Sequence, residues 1–162
     1  EYLSFFSSEQ AFELPSLLEA TLEVTGFYQT PLNRLSGGER QRVEICRALL
    51  QVWPAIKRGE ALLLLDEPLQ GVDIRHQYAL MALFQALCNK GNTLVLSSHD
   101  ISLSANYSYK MLLMKLGTSV SFGLPESVLS VKNLEHTFDC HSYNEINVCL
   151  NVKTLKSGEP LE

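Results

Sequence analysis

The chain has 162 residues, 46% of them hydrophobic, with a formal net charge of −5. That is enough apolar material for a globular core, and the acidic balance excludes the basic footprint of a nucleic-acid binder. No apolar run reaches the roughly 18 residues of a membrane-spanning helix, and no signal peptide opens the chain.

In chain order, residues 2–6 are an apolar opening that predicts helix. Pro15 suits a first helical position, and Leu17, Leu18, Leu22 and Val24 carry a helical period to Gly26, a candidate C-cap. Residues 28–34 read as a proline-containing loop. Ser36 and Glu39 have the capping-box spacing, so a helix is expected from Gly37 to about Val52, with Val43, Cys46 and Leu50 on one face. Arg40 and Arg42 suit contact with phosphates, the alternative being surface arginines that meet only water, and both are expected on the helix's solvent side. Gly37 and Gly38 are poor choices for a helix, each costing about 1 kcal/mol against Ala. What glycine offers is close backbone approach, at a helix start with unpaired N–H groups and a positive dipole end. The combination suits a phosphate; the alternative is a plain capped helix.

Residues 61–65 are an unbroken apolar run, the pattern of a strand buried on both faces in a parallel sheet between helices. It ends in Asp66-Glu67. Two adjacent carboxylates there are costly without partners, and the carboxyl end of a parallel strand is where α/β sheets bind ligands. Asp66 then suits Mg²⁺ and Glu67 the polarisation of an attacking water; the alternative is an acidic surface turn at Pro68. A helix over 75–89 places Leu80, Leu83, Phe84 and Leu87 in the core and closes at Gly91. A second strand over 93–98 brings His99 to its own carboxyl end. There it suits a phosphate or a water, or a purely structural place.

The remainder predicts a helix over 101–106, a hairpin of 111–116 and 119–122 about Gly117-Thr118, a helical turn from Pro125 to Leu129, and a further helix over 131–138. Beyond Asp139 the chain is polar until 146–152, which alternates as a strand. Cys46, Cys88, Cys140 and Cys149 include no Cys-x-x-Cys pair and fit reduced thiols. The spacing of His136, Asp139, Cys140 and His141 matches no standard metal site. Asn106-Tyr107-Ser108 fits a glycosylation sequon that a cytosolic chain would not use.

Four pieces in this order carry a resemblance: Leu35-Ser36-Gly37-Gly38-Glu39, Leu62-Leu63-Leu64-Leu65-Asp66-Glu67, Gln70-Gly71-Val72-Asp73, and Ser97-Ser98-His99-Asp100. The chain resembles the ATP-binding-cassette (ABC) transporter ATPases. The pieces are similar to that family's signature motif, Walker B strand, D-loop and switch histidine. The D-loop departs from the usual Ser-x-Leu-Asp. No Gly-x-x-x-x-Gly-Lys-[Ser/Thr] loop occurs, so the chain is expected to be a C-terminal portion of such a protein. Leu161-Glu162 reads either as a cloning scar or as a native ending.

The resemblance implies a partial P-loop NTPase fold of class α/β, with parallel strands flanked by helices, a helical subdomain at the N-terminus and a C-terminal hairpin. Residues 1–52 would be the rest of the helical subdomain, 53–130 a RecA-like core, and 131–162 a helix-and-strand extension. It implies ATP and Mg²⁺ as cofactors, Glu67 and His99 as catalytic groups, and Asp66 as the metal carboxylate. Ser36, Gly37, Gly38 and Glu39 would meet an ATP held by the other copy of a head-to-tail homodimer, and Asp73 would make a cross-dimer contact. Transmembrane permease subunits would be the partners, at the cytoplasmic face of the membrane, with no nucleic acid. A finer resemblance, to vitamin B12 importer ATPases, rests on the long spacer 51–60, on Ser97-Ser98-His99-Asp100 and on 123–129. The rivals are a DNA-repair type of cassette ATPase, whose heptads or basic face are absent from this sequence, and a truncated, inactive dimerisation module.

Overall fold

A computed structural model describes residues 15–139. The chain divides into two compact units, Glu1–Ser97 and Ser98–Glu162. In the first, α1 (Ser16–Leu22) and two 3-10 turns precede α2 (Gly37–Gln51), α3 (Trp53–Arg58), β1 (Leu62–Leu65), α4 (Ile74–Asn89) and β2 (Thr93–Leu96). The second holds α5 (Ile101–Tyr107), β3 (Met111–Lys115), β4 (Thr118–Gly123), α6 (Pro125–Val128) and α7 (Val131–Phe138).

α1 starts one residue later than expected, with Pro15 at its N-cap. It also ends earlier, because Glu23, not Gly26, takes the left-handed cap conformation (φ 51°). A non-glycine residue there costs about 1–2 kcal/mol. A bidentate ion pair to Arg75 of α4, at 2.9 and 2.8 Å, holds Glu23 in place.

The long spacer is mostly helical. It forms α3, capped by Gly59 at φ 74°. A Cβ on Gly59 would stand 2.1 Å from the Lys90 carbonyl oxygen, so glycine is required where these two backbones meet.

β1 and β2 pair in parallel, Leu62 against Thr93 through Leu65 against Leu96, with α4 as the crossover. The expectation that β1 is buried on both faces is corrected. Leu63 points into the core, but Leu62 and Leu64 are 64% and 72% exposed and Val95 beside them is exposed too. The apolar run has no polar alternation because the strand's type is set for a covered sheet, whereas among the described residues only one face is covered. The core on that face joins Leu18, Leu22, Leu49, Ile56, Leu80 and Leu87. Leu80, Leu83, Phe84 and Leu87 of α4 are all buried, as their spacing predicts.

Asn92 is buried and ties three elements. Its Oδ1 accepts the Ala61 N–H (3.0 Å), and its Nδ2 donates to the carbonyls of Ile56 (3.1 Å) and Leu87 (2.9 Å). It therefore fixes the amino ends of both strands to the ends of α3 and α4.

In the second unit β3 and β4 form the expected hairpin, but the turn residues are Leu116 (φ 49°) and Gly117 (φ 77°), one place earlier than Gly117-Thr118. Two positive φ values in succession give the twist that suits a two-residue hairpin. A bulge at Leu113/Met114 skips Val120 in the register. Leu113, Val128, Leu129 and Leu134 form this unit's core. Lys115 bonds the His136 carbonyl and the Asp139 carboxylate.

The predicted helix over 2–6, the strand over 146–152, Cys140, His141, Cys149 and Leu161-Glu162 lie outside the described residues. Cys46 is buried, and burial pushes its thiol up to about 11, so it is a neutral thiol at physiological pH. No helix among the described residues is long and apolar enough to cross a membrane.

Replacing Asn92 with Ala leaves the buried Ala61 N–H without its acceptor and takes one donor from each of the Ile56 and Leu87 carbonyls, which keep the backbone N–H groups of Gly59 and Lys90. The expected loss of stability is about 3 kcal/mol, read by urea denaturation; a loss below about 1 kcal/mol would show that Asn92 does not hold the strand starts together.

Candidate nucleotide-facing residues

The start of α2 is built as its sequence predicts. Ser36 Oγ accepts the Glu39 N–H (3.3 Å), and the Glu39 carboxylate accepts the Ser36 N–H (2.8 Å), a complete capping box. Those hydrogen bonds from Ser36 hold the Glu39 carboxyl below its usual range. A lowered carboxylate stabilises the cap above the ordinary carboxylate pKa, and that contribution is lost as pH falls through the lowered value. Ser36 and Gly37 are exposed. The N–H groups of Gly37 and Gly38 have no acceptor within the helix, as in any first turn. This corner therefore presents two amide donors and the Ser36 hydroxyl proton to an incoming group.

The two glycines do different jobs. Nothing lies within 4 Å of a Cβ placed on Gly37. A Cβ on Gly38 would stand 2.6 Å from the Gly71 carbonyl oxygen and 3.4 Å from Val72 Cα. Gly38 thus lets the start of α2 lie against the turn that follows β1. The same turn is held by Gln41 of α2, which donates to the Pro68 carbonyl (3.2 Å). Gln77 of α4 donates to the carbonyls of Leu69 (3.3 Å) and Val72 (2.9 Å).

Asp73 ends that turn and caps α4. One carboxylate oxygen accepts the His76 N–H (3.2 Å) and the other meets His76 Nδ1 (2.6 Å). These bonds from His76 hold the Asp73 carboxyl below its usual range. His76 is 5% exposed. Its Nε2 faces Arg42 Nη1 (2.8 Å) and Arg75 Nη2 (3.2 Å). Guanidinium groups only donate, so toward them Nε2 can serve only as an acceptor, with a proton on Nδ1 for Asp73; the Glu23 carboxylate also lies 3.4 Å from Nε2.

Arg42 itself is buried, donates to the Leu22 carbonyl (2.7 Å) and lies over the Phe27 ring. The expectation of a solvent-facing Arg42 is corrected. The buried face of α2 is Arg42, Ile45, Cys46 and Leu49, with Val43 and Leu50 only half-buried. The guanidinium's partners, which belong to α1 and α4, turn the helix that way. Arg40 is exposed, as expected.

At the carboxyl end of β1, Asp66 is exposed and Glu67 half-buried, with Glu67 in the left-handed region (φ 43°). Ser97, just past β2, donates its hydroxyl to Asp66 Oδ1 (2.6 Å) and accepts the Glu67 N–H (2.8 Å). Among the described residues no three acidic, His or Cys side chains gather around a point. A lone exposed carboxylate fits Mg²⁺, which takes one or two carboxylates and completes its octahedron with phosphate oxygens and water. His99 belongs to the second unit and is exposed.

Arg42 and His76 carry no recognisable motif in the sequence, and Ser97 stands in the switch-histidine stretch with no role of its own legible there. Only the meeting of separate elements gives them their places.

The two glycines make a paired test. Gly37→Ala is expected to leave stability unchanged or raise it by up to about 1 kcal/mol. Gly38→Ala is expected to lower it by about 1–3 kcal/mol, as overpacking against backbone does. Thermal denaturation of both variants checks this, and equal effects would remove the distinction between them.

No family model matches the chain. It is 42% identical over 108 residues to the hemin import ATP-binding protein HmuV of Hahella chejuensis, covering 67% of this chain and 42% of that one. It is 40% identical over 121 residues to the vitamin B12 import ATP-binding protein BtuD of Pectobacterium atrosepticum, covering 75% of this chain and 48% of that one. The chain therefore spans about half the length of these curated relatives. Among solved structures, the ADP conformation of MJ1267, an ATP-binding cassette of an ABC transporter, superposes with a TM-score of 0.59 at 22% identity. That match covers 85% of this chain and 56% of MJ1267. An ATP-binding subunit of another ABC transporter gives the same score at 21% identity, covering 85% of this chain and 53% of that one. These two likenesses fix the fold, and the curated relatives fix the lineage: the chain belongs to the ATP-binding-cassette ATPases.

Proposed function

We propose that the chain carries the signature and hydrolytic carboxylates of an importer's ATP-binding subunit, which couples ATP hydrolysis to uptake through a membrane permease. The observation that carries this reading is the end of β1. Asp66 and Glu67 stand where a parallel strand offers its ligands, and their geometry is fixed from the neighbouring strand. The exposed, capped start of α2 supports it with a phosphate-type corner.

In this reading Asp66 holds Mg²⁺ together with phosphate oxygens and water. The bound cation would neutralise charge developing on the phosphates. Glu67 orients the attacking water and accepts its proton. For His99, in the second unit, the reading rests on its motif alone, which resembles a histidine that donates a hydrogen bond to phosphate or water. Ser36, Gly37 and Gly38 direct their donors at an ATP held by a second copy in a head-to-tail homodimer, and Glu39 keeps that corner in shape. Both Asp73 oxygens serve His76. Asp73 then anchors its turn, and exposed Gln70 and Gly71 offer the surface for a cross-dimer contact.

The helical part within residues 1–52 would face the permease at the cytoplasmic side of the membrane. Relatives are named for hemin and for vitamin B12 alike, which supports a metal-bearing macrocycle as the cargo class, with vitamin B12 as one of two named cases.

The test is Mg²⁺-dependent phosphate release by the intact gene product. Glu67→Gln is expected to keep ATP binding and lower turnover by about 10²-fold or more; retained turnover would overturn the base assignment. The 162-residue chain alone is expected to release no phosphate, and release abolished by Glu67→Gln would overturn that expectation.

A further inference from the structure

Ser97 makes three bonds at the place where β1 gives way to Asp66 and Glu67. Its N–H extends the parallel ladder to the Leu65 carbonyl (3.0 Å). Its hydroxyl donates to Asp66 Oδ1 at 2.6 Å and accepts the Glu67 N–H at 2.8 Å. A hydroxyl has one proton to give. With that proton committed to Asp66, a lone pair is left for the Glu67 amide. One oxygen therefore fixes both the rotation of the Asp66 carboxylate and the left-handed backbone of Glu67 (φ 43°). An unsupported non-glycine residue does not stay readily in that region.

We infer that Ser97 is the positioning residue of the hydrolytic pair. It occupies one site on Asp66 Oδ1 and fixes the carboxylate's rotation, which leaves Oδ2 available to a cation, and it holds the Glu67 turn that aims the base. This rests on the ATPase reading above. Ser97 touches no reacting atom. It acts through two carboxylates on the adjacent strand, and the short bond at 2.6 Å is of the charge-assisted kind.

The exposed site tolerates an added methyl, so Ser97→Thr and the isosteric Ser97→Val differ only in the hydroxyl. Three measurements separate them. The first is hydrogen exchange at the Glu67 amide in the 162-residue chain. The others, on the intact gene product, are kcat with KM for ATP and the Mg²⁺ concentration giving half-maximal turnover. Ser97→Thr is expected to match the unmodified protein in all three. Ser97→Val is expected to exchange the Glu67 amide about tenfold faster or more and to lose about ten- to a hundredfold in kcat. It should also need more Mg²⁺, with KM for ATP little changed and the melting temperature equal to that of Ser97→Thr. A Ser97→Val protein with the turnover and Mg²⁺ dependence of Ser97→Thr overturns the inference. So does an unchanged exchange rate at Glu67. If the unmodified protein and Glu67→Gln fail to differ in turnover, it is the ATPase reading that falls, while the exchange measurement still reports on the clamp.

Discussion

The parallel pairing of β1 with β2 is the constraint on which the rest depends, and it is fastened at both ends by side chains. At the amino ends Asn92 joins Ala61 to the ends of α3 and α4, while Gly59 and the Lys90 carbonyl meet too closely for any Cβ. At the carboxyl ends Ser97 closes the ladder and then reaches across to Asp66 and Glu67. A parallel pair has slanted bonds and needs a crossover to exist at all. Here α4 supplies the crossover and the polar clamps fix the register. Whatever the acidic pair does, it does from a position set by this ribbon.

The second fixed relation is between the start of α2 and the turn from Pro68 to Asp73, which lie far apart in sequence. Missing side-chain volume at Gly38, the Gln41 and Gln77 amides, and the chain from Asp73 through His76 to Arg42 bind them together. That chain is buried at His76 and Arg42, where a broken link would leave the guanidinium one acceptor short, with the Leu22 carbonyl still bonded. Two segments proposed to face nucleotide or a second copy therefore form one rigid corner within the protomer. A displacement of the turn is then a displacement of the helix start.

The ion pair between Glu23 and Arg75 extends the same corner to α1. It is exposed, and such pairs contribute little stability by themselves. Its evident effect is conformational: it selects where α1 ends and keeps a non-glycine residue in a left-handed cap.

By itself the sequence determined what is local. The capping box of Ser36 and Glu39, the apolar face of α4 and the hairpin of β3 and β4 follow from spacing within a few residues. The four ordered motifs determined the lineage, because each is a short chemical pattern that survives in one dimension. What only the tertiary structure decided depends on partners distant along the chain. Arg42 reads as a surface arginine until Leu22 and His76 surround it. Gly38 reads as a place for close backbone approach, but only the fold shows that the backbone approaching it is that of Gly71. Leu62 and Leu64 read as core, although their exposure is decided by what covers the sheet. Ser97 shows its meaning only beside Asp66 and Glu67, since a hydroxyl has no direction until the fold supplies its donor and its acceptor.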